Sequence, residues 1–325
     1  SGLMHLRIEI SRYLERRFGL NYDAEKEIIV TVGGSEGIDL AFRAMLNPGD
    51  EVIIPEPCYV SYVPCVTLAD GVPVTVNLKE ENDFKLTKEQ LLSAITPRTK
   101  ILVLAFPNNP TGAVMTKEEL EEIAEVVKEK DIFVVSDEIY AELSYGNTRH
   151  CSIASIDGMK ERTIVINGFS KAHAMTGWRL GYACGPEVII KQMLKIHQFA
   201  IMCAPTNSQY AAVEALRECD DAVEEMRNEY DRRRRFMLSK LRGMGLKVFE
   251  PYGAFYIFPN IAEFGLTSDE FATRFLTEEK VAVVPGTAFG DCGEGFLRMS
   301  YASSLSNLKT AMERLEKFID RLRNK

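Results

Sequence analysis

A lysine and an arginine stand close together among small and aromatic residues, where they could carry covalent chemistry. Lys171 follows Gly168-Phe169-Ser170 at the end of an apolar run, and Arg179 lies eight residues further on. An amine buried in such surroundings loses solvation, which lowers its pKa and frees its lone pair for Schiff-base formation. Arg179 could add charge to an anion site. Most lysines are only solvated surface groups, so the pattern alone leaves both interpretations open.

A glycine-rich turn earlier in the chain has three interpretations. Gly33-Gly34-Ser35-Glu36-Gly37 lies between a predicted strand and a predicted helix. Glycines let the backbone approach a ligand, and the free N–H groups at a helix start bind anions such as phosphate. The spacing of its glycines around Ser35 also matches the nucleophile elbow of serine hydrolases. A structural tight turn is the third interpretation.

Two polar segments each follow a predicted strand and are candidate ligand loops. Pro107-Asn108-Asn109-Pro110-Thr111-Gly112 comes directly after the predicted strand 100–106, and Asp137-Glu138-Ile139-Tyr140 follows the strand 132–136. A carboxylate at a strand end can pair with a cationic ligand atom. Both segments also have ordinary interpretations, since Asn, Pro and Gly are typical of turns and Asp is typical of helix N-caps.

An arginine inside an apolar strand pattern needs a partner. Arg298 lies in Phe296-Leu297-Arg298-Met299-Ser300, which predicts a strand. Burial of an unpaired guanidinium costs free energy, so we expect a carboxylate or phosphate beside it. A bound ligand or a salt bridge within the protein would each supply that group. For His173 and His197 the sequence indicates no evident partner.

Alternating elements must position these side chains. Helical patterns such as 37–46 and 117–130 lie between short apolar, β-branched runs, and Thr116 with Glu119 predicts a capping box. This alternation predicts an α/β fold with a mostly parallel seven-stranded sheet, in which ligands bind at the carboxyl ends of strands. The predicted strands are 28–32, 51–54, 72–77, 100–106, 132–136, 163–167 and 180–184.

A change of pattern after residue 205 predicts a second domain. One long helical stretch runs to about residue 242, and short strands and helices follow it. We expect a large domain over 1–235 and a smaller α+β domain over 236–325, joined by a continuous helix. The later elements are predicted as strands 247–249, 255–258, 281–284 and 296–300, and helices 268–279 and 305–322.

Composition excludes several classes of function. The 325 residues carry 39 basic and 47 acidic side chains, a formal net charge of -8, which argues against a nucleic-acid partner. No apolar run approaches the ~20 residues of a membrane span. Seven cysteines and four histidines show no metal-ligand spacing, so we expect no metal and a reducing cytoplasm.

Together, the order and spacing of the segments resemble the class I and II aminotransferases of the fold type I pyridoxal-phosphate enzymes, the aspartate aminotransferase superfamily. The resemblance covers about residues 3 to 322. It implies a homodimeric enzyme that uses pyridoxal 5'-phosphate to transfer an amino group from an L-amino acid to a 2-oxo acid by a ping-pong mechanism. The motifs that carry it are Asn109-Pro110-Thr111-Gly112, Asp137-x-x-Tyr140, Ser170-Lys171-x7-Arg179 and Arg298-x-Ser300.

The resemblance also implies roles for individual residues. Lys171 would hold the cofactor aldehyde as a Schiff base and then move the substrate proton, and Asp137 would pair with the pyridine nitrogen. Arg298 would bind the substrate α-carboxylate, assisted by Asn109. A cis bond before Pro110 is a further implication. The remaining implied contacts are with the phenolic oxygen (Asn109, Tyr140), the ring face (Tyr59) and the phosphate (Gly34, Ser35, Glu36, Ser170, Arg179).

Three departures from the family pattern stand out. The family's N-terminal arm and part of its small domain have no counterpart here, so we expect a segment to precede Ser1. Glu36 places an acidic side chain near a dianion, which its backbone N–H can still bind if the carboxylate points away. No second arginine is evident for a dicarboxylate substrate.

Three alternative functions stay open at this point. The first is a C–S β-lyase on the same scaffold, and the second is a cofactor-binding regulatory module. The third is a serine hydrolase built on Ser35. No histidine follows His197 in the sequence, which argues against the hydrolase because its triad needs a late histidine.

Overall fold

A seven-stranded sheet dominates the computed structural model, which describes residues 1–324. The strands are β1 (Ile28–Thr31), β2 (Glu51–Glu56), β3 (Val72–Asn77), β4 (Thr99–Ala105), β5 (Phe133–Asp137), β6 (Thr163–Gly168) and β7 (Gly181–Cys184). Their spatial order is β1-β7-β6-β5-β4-β2-β3. Pairs among β2 to β6 are parallel, whereas β7 runs antiparallel to β6 and β1. The predicted α/β fold with a mostly parallel seven-stranded sheet is confirmed.

Both faces of this sheet are covered, as the apolar runs of its strands require. Ile101 and Val103 of β4 join one apolar core, and Leu102 and Leu104 join the core on the opposite face. Such alternation follows from the two-residue period of a strand. The sheet is therefore fixed between two helical layers, and its carboxyl edge stays free to present side chains.

Helices follow the strands in the predicted alternation. They are α1 (Met4–Phe18), α2 (Gly33–Met45), α3 (Tyr62–Leu68), α4 (Lys88–Ala94), α5 (Lys117–Glu129), α6 (Glu187–Ala200), α7 (Thr206–Glu218), α8 (Asp220–Gly243), α9 (Ser268–Glu279) and α10 (Leu305–Arg323). The capping box at the start of α5 is confirmed, with reciprocal hydrogen bonds between Thr116 and Glu119. None of the helices within residues 1–324 combines the length and apolar character needed to cross a bilayer.

The single long helix expected between residues 205 and 242 is wrong. The chain leaves helical geometry at Cys219, where φ is -109° and ψ is 14°. The helix restarts at Asp220 and Asp221, whose negative charges suit a helix start better than a helix interior. Two consecutive helices, α7 and α8, therefore lead from the sheet to the C-terminal part of the chain.

The C-terminal part contains a small antiparallel sheet. Its strands are β8 (Tyr256–Ile257), β9 (Val284–Pro285) and β10 (Leu297–Ser300), in the order β8-β10-β9. The predicted strand over 247–249 is reduced to one bridge between Val248 and Pro259. Because the core of this part also includes Tyr140 and Leu143 from the loop after β5, the division at residue 235 stays a prediction.

The prediction of a cis bond before Pro110 is wrong. Cis peptide bonds precede Pro57 and Pro107 instead. The following turn is closed by other means: Gly112 N donates to Asn108 O at 2.9 Å, and Thr111 Oγ1 donates to Asn108 Oδ1 at 2.9 Å.

Candidate active site

A cavity of about 250 Å³ opens at the carboxyl edge of the large sheet. It lies where ligands bind in open parallel sheets. All but one of the residues to which the family resemblance gives a role line it, and Glu36 is the exception. The residues that it brings together are Gly34, Ser35, Tyr59, Asn109, Asp137, Tyr140, Ser170, Lys171, Arg179 and Arg298.

Lys171 projects into this cavity from the segment that follows β6. Its Nζ lies 5.6 Å from the ring centroid of Tyr140 and 5.5 Å from that of Phe255, with no hydrogen bond to any of residues 1–324. Burial lowers the pKa of Lys171, the Asp137 charge opposes this, and two cavity arginines reinforce it. The amine therefore loses its proton more readily than an ordinary lysine, as the desolvation argument predicted.

Asp137 ends β5 with a buried carboxylate that faces the cavity. Tyr62 Oη donates to its Oδ2 at 2.7 Å, and Ile139 N donates to its Oδ1 at 3.1 Å. Burial raises the pKa of Asp137, and the two hydrogen bonds lower it in part. Tyr62 was missed in the sequence, although its spacing from Tyr59 places both rings on one side of a turn, with centroids 5.7 Å apart.

Tyr140 is joined to the C-terminal part of the chain through a second tyrosine. Its hydroxyl lies 3.1 Å from that of Tyr256 in β8. Burial raises the pKa of Tyr140 well above its ordinary value, so the phenol stays protonated. Tyr256 was also missed, since a tyrosine in a short apolar strand gives no signal of function.

Arg298 is oriented by contacts on several sides. Its Nη1 donates to Asn109 Oδ1 at 3.0 Å, and its Cζ lies 4.5 Å from the ring centroid of Tyr256 and 4.7 Å from that of Phe289. Nε is buried without a partner among residues 1–324. No carboxylate within the described chain pairs with it, so the internal salt-bridge interpretation is wrong. A buried donor left unpaired points to a ligand group.

The start of α2 and Arg179 form the anion end of the cavity. Arg179 has a φ of 50°, and its Nη1 donates to Thr176 O at 3.0 Å. A Cβ at Gly33 would lie 2.8 Å from Arg179 Nη2, so a side chain at residue 33 would push this guanidinium away from its place beside the helix start. Free helix N–H groups and a guanidinium together suit a phosphate better than a hydrolase nucleophile.

Glu36 lies outside the cavity lining, and its side chain turns to the other side of the helix start. Its Oε2 accepts a hydrogen bond from Val32 N, and its Oε1 lies 2.6 Å from His197 Nδ1. The carboxylate therefore points away from the anion end, which is the orientation that the backbone N–H of Glu36 needs in order to bind an anion there. The interpretation of His197 as a residue without a partner is wrong, whereas both ring nitrogens of His173 are buried without one in residues 1–324.

A second buried carboxylate lies directly after Asp137 but has different surroundings. Glu138 accepts hydrogen bonds from Ser136 Oγ at 3.0 Å, Ser152 Oγ at 2.6 Å and His150 Nε2 at 2.9 Å. It is absent from the cavity lining. Its donors fix the segment after β5 to the loop around residue 150.

Comparison with known proteins gives consistent results over the whole chain. The family model "Aminotransferase class I and II" matches residues 1–315. The aspartate aminotransferase of Pyrococcus abyssi is 49% identical over 320 residues, which cover 98% of this chain and 82% of that protein. The aromatic-amino-acid aminotransferase 2 of Thermococcus litoralis is 46% identical over 320 residues, with the same coverage of both chains.

Solved structures of aminotransferases also match this chain. The crystal structure of an aromatic aminotransferase from Pyrococcus horikoshii superposes with a TM-score of 0.98 at 48% identity, over 99% of this chain and 87% of that one. These relatives favour amino transfer over the C–S β-lyase alternative. The chain is therefore an enzyme, and it belongs to the class I and II aminotransferases.

Proposed function

We propose that this chain moves an amino group from an L-amino acid to a 2-oxo acid in two half-reactions, with pyridoxal 5'-phosphate as cofactor. One observation carries the proposal: a single cavity holds a desolvated lysine, a buried carboxylate, an anion end and an incompletely partnered arginine. Each group has a counterpart in the chemistry of the cofactor and its substrate.

The residues of the cavity fit the proposed cofactor. The phosphate would lie at the anion end, against Gly34, Ser35, Ser170 and Arg179, where a helix start and a guanidinium converge. Asp137 would face the pyridine nitrogen, Tyr59 the ring, Asn109 and Tyr140 the phenolic oxygen, and Lys171 would bind the carbonyl carbon. When bound, the cofactor withdraws electrons from the substrate Cα and carries the amino group between the two substrates.

Proton positions follow from the local electrostatics. Asp137, oriented by Tyr62, would hold a proton on the ring nitrogen through a charge-assisted hydrogen bond. Lys171, whose pKa is lowered, would be neutral often enough to take the proton from Cα and return it to carbon 4′.

Arg298 would bind the substrate α-carboxylate. Its Nη1 is used by Asn109, so Nε and Nη2 remain as a parallel pair of donors on one side of the guanidinium. Such a pair matches the two oxygens of a carboxylate. The rings of Tyr256 and Phe289 hold the guanidinium plane, which fixes the substrate relative to Lys171.

We also propose that two copies of the chain associate. Phe199 is 94% exposed, Met202 76% and Tyr210 59%, and all three belong to α6, α7 or the turn between them. Exposed apolar groups of this size mark contact surfaces. Sedimentation of the purified chain would give twice the monomer mass if the proposed association of two copies is right.

The seven cysteines are free thiols, which suits the reducing cytoplasm that the sequence predicts.

Product analysis tests the proposed reaction directly. The chain with pyridoxal 5'-phosphate is incubated with an amino acid and 2-oxoglutarate. Transfer produces glutamate and the 2-oxo acid of the donor in equal amounts. Formation of pyruvate and ammonia without glutamate would show a C–S β-lyase instead.

A further inference from the structure

The carboxylate of Glu36 lies behind the anion end of the cavity. Glu36 is in the first turn of α2, next to Ser35, which lines the cavity. Its two oxygens accept from Val32 N and His197 Nδ1, the latter at 2.6 Å. Because a carboxylate only accepts hydrogen bonds, Nδ1 carries the proton in this pair.

The imidazole of His197 contacts Glu36 and forms a hydrogen bond with no other polar group of the described chain. The side chain is fully buried in α6, which packs against α2. Its Nε2 has no partner within residues 1–324, so the carboxylate is the only hydrogen-bond partner of the ring. Burial of a histidine costs free energy. Its position is therefore explained by the hydrogen bond to Glu36 better than by packing alone.

A free carboxylate at this point would compete with a phosphate. Carboxylates in the first helical turn are themselves good ligands for the free N–H groups there. Two anions at the same helix start also repel each other, more strongly in a cavity than in water. The side chain of Glu36 must therefore be held away from the cavity if Gly34 and Ser35 are to present their N–H groups to a ligand.

We propose that His197 and Glu36 form a positioning pair that keeps the Glu36 carboxylate out of the anion end and so makes this end selective for a phosphate group. The inference rests on the proposed function, because it takes the phosphate of pyridoxal 5'-phosphate as the ligand. Neither residue touches the reacting atoms. The pair acts on the affinity for the phosphorylated cofactor.

The test compares two ligands and four variants of the full chain. Affinities for pyridoxal 5'-phosphate and for pyridoxal, which lacks the phosphate, are measured by absorbance titration after removal of bound cofactor. His197→Phe keeps the volume and removes the donor, with His197→Leu as a second donor-free variant if the first does not fold. His197→Asn keeps a donor near the Nδ1 position. Glu36→Gln is added to the donor-free variant.

The expected pattern of affinities distinguishes a positioning pair from a His197 side chain that only fills space. Loss of the donor weakens binding of pyridoxal 5'-phosphate by about tenfold or more and changes pyridoxal binding by less than about threefold. His197→Asn stays within about threefold of the unmodified chain for both ligands. Glu36→Gln restores most of the lost affinity in the donor-free background, because the uncharged side chain no longer competes as an anion.

Three results would overturn the inference. If both ligands lose affinity equally, or if Glu36→Gln restores nothing, His197 only fills space. If the unmodified chain binds pyridoxal as tightly as pyridoxal 5'-phosphate, the phosphate is not bound here, and the proposed function fails together with the inference. The affinities of the unmodified chain for the two ligands therefore distinguish a failure of the proposed function from a failure of this inference alone.

Discussion

Asp137 and Glu138 are adjacent buried carboxylates with opposite surroundings. On the cavity side, Asp137 receives one tyrosine O–H and one backbone N–H, and it faces Lys171. On the far side, Glu138 receives two serine hydroxyls and a histidine, away from the cavity. The far-side carboxylate has its hydrogen bonds filled by the protein, whereas the cavity-side carboxylate keeps capacity for a ligand.

The same contrast holds for Arg234, which is buried, and Arg298, which is half-buried. Arg234 binds the carboxylates of Asp231 and Glu250 and the carbonyl of Pro251. Arg298 binds only an amide oxygen, and its Nε stays unpaired. In both pairs, the charged group that the protein leaves incompletely partnered is the one that lines the cavity.

The largest effect is expected for Lys171→Ala. Loss of the amine removes both the covalent attachment and the proton carrier, so we expect kcat/KM to fall by about 10⁴-fold or more. Lys240→Ala, at an exposed position of α8, is the matched control and should not change the rate. Steady-state kinetics with an excess of cofactor measures both, and a Lys171→Ala variant with appreciable turnover would contradict the assignment.

The two adjacent carboxylates should respond differently. Asp137→Asn removes the charge beside the cofactor ring, so we expect kcat to fall by about 10²–10³-fold. Glu138→Gln removes charge from a filled network, so we expect the free energy of unfolding to fall by about 1–3 kcal/mol. Kinetics and urea unfolding of both variants test the comparison. Equal losses of kcat in the two variants would contradict the different roles of Asp137 and Glu138.

Arg234 and Arg298 offer a similar test. Arg298→Lys loses the planar pair of donors, so we expect KM for the amino acid to rise by about 10–100-fold, with a smaller change in kcat. Arg234→Lys should lower the melting temperature and leave KM unchanged. If KM responds equally to both substitutions, Arg298 does not bind the substrate carboxylate.

A smaller effect is expected for Tyr62→Phe. The hydrogen bond from Tyr62 stabilises the ionised form of Asp137, so its loss raises the pKa of Asp137 further. As the pH is lowered, the variant should therefore lose activity at a higher pH than the unmodified chain. We expect kcat near neutral pH to fall by about 3–10-fold. Tyr22→Phe is the control, since the Tyr22 hydroxyl is buried without a partner in residues 1–324. A pH profile unchanged by Tyr62→Phe would argue against this role.

Sequence patterns predicted the sheet and placed Asp137 and Lys171 close to strand ends, because local periodicity indicates where a strand stops. The remaining groups of the cavity, such as Tyr59, were expected from the family resemblance. The groups behind them were not predictable. Tyr62 meets Asp137 across 75 positions, Tyr256 meets Tyr140 across 116, and His197 meets Glu36 across 161. Such partners are fixed by the packing of distant elements, which no local spacing encodes.

The most direct test of the central claim is to locate the bound cofactor. The chain is purified with pyridoxal 5'-phosphate, treated with borohydride, digested and examined by peptide mass spectrometry. We predict a stable phosphopyridoxyl group on the peptide that contains Lys171 and on no other peptide. A modified peptide from elsewhere in the chain, or no modification at all, would contradict the assignment of this cavity as the site of amino transfer.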